Sequence, residues 1–226
     1  MARKSRNKPI KKVIYVFWEG ETEQEYIKFL KDEFENIAVI YYCTKKGTFE
    51  VAKSYYNNKD NNDNKNFRNI VPELDELWFF FDTEIEMGNK WDEKMNCLED
   101  IINSRKKRNP LKIRLLMTTG CAEYWLLLHY RKTAPAIATP ADKDKILMEV
   151  KKIVPSYKKG DKASIKKIAL NYENAIKNGI WTLNQLKSVG MPDNEQERNK
   201  WLFKSEHTFT NVHEALLYLR SLQENQ

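Results

Sequence analysis

The sequence predicts an α/β fold: a parallel sheet flanked by helices, followed by a helical C-terminal region. Three observations carry the prediction. Leu77-Trp-Phe-Phe-Phe81 is a run of five large apolar residues, too short for a free-standing helix and suited to a strand buried on both faces. Strand-like and helix-like patterns alternate from Val13 to Tyr130, the order that right-handed crossovers between parallel strands produce. From Arg131 onward only helical patterns remain. The organisation read from these is a basic arm over residues 1–12, an α/β core over 13–130 and a helical, basic region over 131–226.

The arm carries Arg3, Lys4, Arg6, Lys8, Lys11 and Lys12 with no apolar signal core behind it. Val13–Trp18 is β-branched and aromatic and reads as the first strand, ending at Glu19-Gly20. Thr22 with Glu25 fits a capping box, and Tyr26, Phe29, Leu30 and Phe34 recur at helical spacing. Ile37–Cys43 is a second strand, Lys45-Lys46-Gly47 a loop and Phe49–Tyr56 a helix. Asn57–Asn66, nearly all Asn, Asp and Lys, reads as a flexible surface loop. After the Leu77 strand, Trp91, Met95, Leu98 and Ile102 trace one amphipathic helix, closed by the basic run Arg105–Arg108. Ile113–Thr118 is the fourth strand, and the segment Cys121–Tyr130 is a helix apolar nearly all round. Beyond a Pro/Ala linker, helices are expected around Lys143–Val154, Ser164–Lys177 and Val212–Leu222, with a polar loop at 190–199.

A net charge of +7 and a pI near 9.1 favour an anionic partner, nucleic acid first among them. Cys43, Cys97 and Cys121 are widely spaced and form no CxxC, so buried thiols in a reducing cytoplasm are expected and a zinc site is not. No apolar run reaches membrane-spanning length. His129 follows Glu123 by six residues, off its helical face, and reads as a core histidine.

In a parallel sheet the carboxyl ends of all strands share one edge, where ligands bind. Glu19, the pair Asp82 and Glu84, and Glu123 fall at such ends. A solvated strand end is the competing account of the acidic pair, and first-turn helix acids that of Glu21, Glu23 and Glu25. Converging carboxylates raise one another's pKa unless a cation sits among them, and Mg²⁺ takes hard oxygen ligands of this kind. Lys45, Lys46, Lys158 and Lys159 lie in loops from which they can meet phosphate.

Several of these motifs together resemble the RloB-type family. They are Glu19-Gly20 with Thr22-Glu23, the acidic pair after an aromatic strand, and Glu123-Tyr-Trp-Leu-Leu-Leu-His129. Tyr157-Lys-Lys-Gly-Asp161 and Thr210-Asn-Val-His213 extend the likeness over most of the chain. Members of that family have a Toprim (topoisomerase–primase) catalytic fold and are associated with bacterial phage-defence and restriction loci. The resemblance implies a nuclease dependent on Mg²⁺ or Mn²⁺, acting on RNA (tRNA included) or DNA. Glu19 would act in proton transfer or as a metal ligand, Asp82 and Glu84 as the metal pair, and Glu123 as a further catalytic acid. Glu84 stands where the family pattern has Asp, and Thr119-Gly-Cys-Ala122 where it has an Asn-Pro turn. The alternative is a catalytically weakened regulatory or docking subunit. An ATPase partner is implied in either case, and a homo-oligomer is left open.

Overall fold

The computed structural model describes residues 11–58, 62–84, 90–103 and 110–224. Four strands, β1 (Lys12–Trp18), β2 (Ala38–Tyr42), β3 (Glu76–Thr83) and β4 (Lys112–Thr119), form one sheet in the order β2-β1-β3-β4. Every pairing is parallel, so the α/β expectation holds. The aromatic run of β3 fills both faces by alternation. Phe79 stacks on Phe17 and on Phe49, with centroids 5.6 and 4.6 Å apart, on the face covered by α2 (Phe49–Asn57) and α3 (Asn62–Ile70). Phe80 points the other way and meets Tyr26 of α1 (Glu21–Glu33) edge-on. Trp125, from the short helix α6 (Ala122–Leu127), joins that second layer against Tyr26.

The later helices complete the cover: α4 (Trp91–Asn96), α5 (Glu99–Asn103), α7 (Pro140–Ile153), α8 (Lys162–Ala169), α9 (Tyr172–Lys187), α10 (Glu195–Phe203) and α11 (His213–Glu224). Buried residues of the last third, Ile165, Phe203 and Leu216 among them, belong to the same hydrophobic cluster as the strands. The segment before α11 also closes the free edge of β4. Asn211 Oδ1 accepts from the Met117 N–H at 2.6 Å, and its Nδ2 donates to the Leu115 carbonyl at 2.8 Å. An otherwise bare sheet edge is thereby satisfied and shielded.

Several local expectations are corrected. Thr22 does not cap α1: Gly20, in extended conformation, takes that position, and the Thr22 hydroxyl faces Glu123 and Tyr157 instead. Part of the Asn/Asp/Lys stretch is helical, because Phe67 anchors α3 between Tyr15 and Phe17; residues 59–61 lie outside the described residues. The helix expected over 91–102 is broken at Cys97-Leu98, where the amides bond three residues back instead of four. The helix expected over 164–177 splits at Leu170-Asn171, where the Asn171 amide nitrogen donates to Tyr130 and to the Ile168 carbonyl. The helix expected over Cys121–Tyr130 is α6 alone. The polar stretch 190–199 contains the start of α10, capped by the Asn194 side chain on two amides. Residues 1–10 of the basic arm, Gly88 and the run Arg105–Arg108 lie outside the described residues. All three cysteines are free and buried.

Candidate functional site

The carboxyl ends of β1 and β3 lie side by side, since Trp18 pairs with Phe80. Glu19 follows β1, its N–H bonded to the Phe80 carbonyl, and its Oε2 accepts from the Asp82 N–H at 3.1 Å. The β3 backbone therefore clamps Glu19 beside Asp82. Asp82 Oδ1 is buried and has no hydrogen-bond partner among the described residues. Burial raises the Asp82 pKa well above its ordinary value, and the charges of Glu23, Glu19 and Glu123 raise it further. Glu19 is also shifted upward, chiefly by burial and against the Asp82 amide bond.

Glu123 opens α6 after β4 and is 2% exposed. It is well held: Tyr157 donates to Oε1 at 2.8 Å, the Thr22 hydroxyl lies at 3.4 Å, and Lys159 Nζ is 3.5 Å from Oε2. The loop between α7 and α8 thus brings Tyr157 and Lys159 over the sheet edge. That loop turns at Gly160, whose φ of +70° favours glycine. A Cβ there would also lie 2.7 Å from a Glu21 carboxylate oxygen.

The structure adds one residue that sequence reasoning assigned to an ordinary first helical turn. Glu23 is 3% exposed, and its pKa is pushed up to about 7 by burial and by the charges of Glu19 and Glu123. Gly20 makes room for it, because a Cβ there would sit 2.6 Å from Glu23 Oε2. The sequence alone carried no signal for it, because Glu19 precedes the Gly20 cap and only the packing of α1 over the sheet buries Glu23.

Of the residues expected from sequence, Glu19, Asp82 and Glu123 converge. Glu84 is exposed and paired with Lys143 of α7. Lys46 is exposed and close enough to lower the pKa of both Glu19 and Glu23, whereas Lys45 and Lys158 are exposed without an ion pair among the described residues. His129 is fully buried between Tyr26 and the Trp125 carbonyl, and burial lowers its pKa to about 4, so it is a neutral core group. Among the described residues, no three His, Cys, Asp or Glu side chains are grouped closely enough to form a ready metal cage.

The fold and site define an α/β protein with a cluster of buried and half-buried carboxylates at the carboxyl edge of a parallel sheet. A family model described as RloB-like protein matches residues 14–219, from within β1 to most of α11. The chain belongs to the RloB-like family. No curated protein and no solved structure matches it. Among the described residues, no helix is long and apolar enough to cross a membrane.

Proposed function

We propose that the chain is a Toprim-type, divalent-metal-dependent nuclease that cleaves RNA or DNA in a prokaryotic phage-defence system. The observation that carries this reading is Asp82, whose buried Oδ1 has no partner among the described residues and lies among three further carboxylates. A buried, unpaired acceptor in such company is costly unless a proton or a cation satisfies it. Hard oxygen donors of this kind suit Mg²⁺ or Mn²⁺, which need only one or two carboxylates beside water and phosphate oxygens. Asp82 and Glu19 would hold the ion, with Glu84 recruited if it leaves Lys143. When bound, the ion polarises a phosphodiester and stabilises the departing oxygen.

The chain's own groups supply the rest. Glu23 lies beside Glu19, and burial with the Glu19 and Glu123 charges raises its pKa in the metal-free protein; as the carboxylate, once an ion is held nearby, it would serve to accept a proton. Tyr157 and Thr22 keep Glu123 oriented toward the same edge. Lys46 and Lys159 flank the carboxylates and offer point charges to a phosphate, and Lys45 and Lys158 extend that basic rim. No Gly-x-x-x-x-Gly-Lys-Ser/Thr loop occurs in these 226 residues, and the proposed ATPase would act on them as a partner.

The test is incubation with labelled tRNA, single-stranded RNA, and single- and double-stranded DNA, in Mg²⁺, Mn²⁺ or EDTA. Cleavage that needs metal and disappears in Glu19→Ala and Asp82→Ala is the expected result. Absence of cleavage with every substrate, both alone and with a co-purifying ATPase, would overturn it in favour of a docking subunit.

A further inference from the structure

A cavity of about 310 Å³ opens beside the edge strand β2 and is lined by Tyr15, Tyr41, Tyr42, Asp63, Asn66 and Asn69. Its chemistry is unlike that of the carboxylate cluster. Tyr41 is 40% exposed and stacks on Tyr15 at 6.5 Å, which leaves an aromatic surface facing the opening. Asn66 and Asn69 stand three residues apart on α3, so both amides reach the same side of the cavity. Asp63 is fixed by the Thr44 hydroxyl at 2.6 Å. Planar aromatic faces with amide donors and acceptors in one small cavity are what an unstacked nucleobase requires: a stacking surface and partners for its hydrogen-bonding edge.

The cavity is joined to the carboxylate edge by a short, pinned piece of chain. The Cys43 N–H bonds to the Val16 carbonyl and the Gly47 N–H to the Trp18 carbonyl, so residues 43–47 run alongside the end of β1. Thr44 of this segment lines the cavity, and Lys46 lies within electrostatic reach of Glu19 and Glu23. Aromatic cavity, two lysines and carboxylates therefore follow one another along five residues of chain. We infer that the cavity takes one unpaired nucleobase of a single strand whose phosphates pass Lys45 and Lys46 on the way to the carboxylates. This rests on the nucleic-acid reading of the carboxylate site and deepens it, since a base held in a closed duplex cannot enter.

The test is equilibrium binding in EDTA, where cleavage plays no part, using fluorescently labelled single strands, the same strands with abasic sites, blunt duplex and a mononucleotide. A base stacked on an aromatic face adds to affinity, so binding roughly tenfold tighter for the base-bearing strand than for the abasic one is expected. Tyr41→Ala and Asn69→Ala, both at exposed positions, should erase that ratio while leaving abasic-strand binding unchanged. Lys45→Ala with Lys46→Ala should weaken both strands alike. Equal binding of the two strands by the wild type, duplex preferred over single strand, mononucleotide bound as tightly as strand, or no binding at all would each overturn the inference. Preferential base binding by a protein that never cleaves would leave the inference standing and sink the nuclease reading alone; cleavage without base preference would do the reverse.

Discussion

Asp82 and Glu23 carry the electrostatic tension of the molecule. A carboxyl whose pKa rises from 4.5 unfolded to about 7 folded holds its proton more tightly in the native state. The stabilisation from Glu23 is therefore complete below the unfolded pKa and is lost as the pH climbs through the folded one. Thermal unfolding in EDTA should show a midpoint that falls as the pH rises from about 4.5 to about 7, and Glu23→Gln should flatten the profile. Asp82→Asn removes one of the mutually repelling charges while keeping the shape. It should stabilise the metal-free protein at alkaline pH by on the order of 1 kcal/mol, read from denaturant midpoints. Both residues are costly to folding as they stand, the usual mark of a group kept for chemistry.

Ion pairs and edge contacts between elements do the opposite work. Glu76 of β3 accepts two hydrogen bonds from Arg114 of β4, at 2.8 and 3.0 Å, and a third from Trp78 Nε1. Arg114→Met would leave that buried carboxylate without its cation and should cost about 3–5 kcal/mol in urea unfolding. Asn211→Ala would strip the β4 edge of two bonds and should cost roughly 1–3 kcal/mol. The strands were legible in the sequence because runs such as Val13–Trp18 and Leu77–Phe81 have no other way to be buried. The helix breaks at Cys97 and Asn171 were not, because periodicity continues across a one-turn interruption. Composition misled at Asn62–Ile70, where a single aromatic, Phe67, outweighed eight polar or ordinary neighbours. Glu19, Asp82 and Glu123 were readable as strand-end acids. Glu23 was not, because only the packing of α1 over the sheet distinguishes a buried first-turn acid from a solvated one.

At the scale of the molecule, one sheet gathers residues from positions 19 to 159 at a single edge, with lysines around a carboxylate centre. With a net charge of +7, nucleic-acid affinity should fall steeply with salt, and replacing Lys45 and Lys46 together should reduce the slope of log K against log salt by about two. Everything proposed for catalysis depends on the carboxylates acting as a cation site. Calorimetric titration of the purified protein with Mn²⁺, near pH 6 and near pH 8, measures this directly. The account predicts saturable binding that tightens with pH as the Glu23 and Asp82 protons are displaced, and that disappears in Asp82→Asn. No saturable binding, or binding that Asp82→Asn leaves intact, would contradict it.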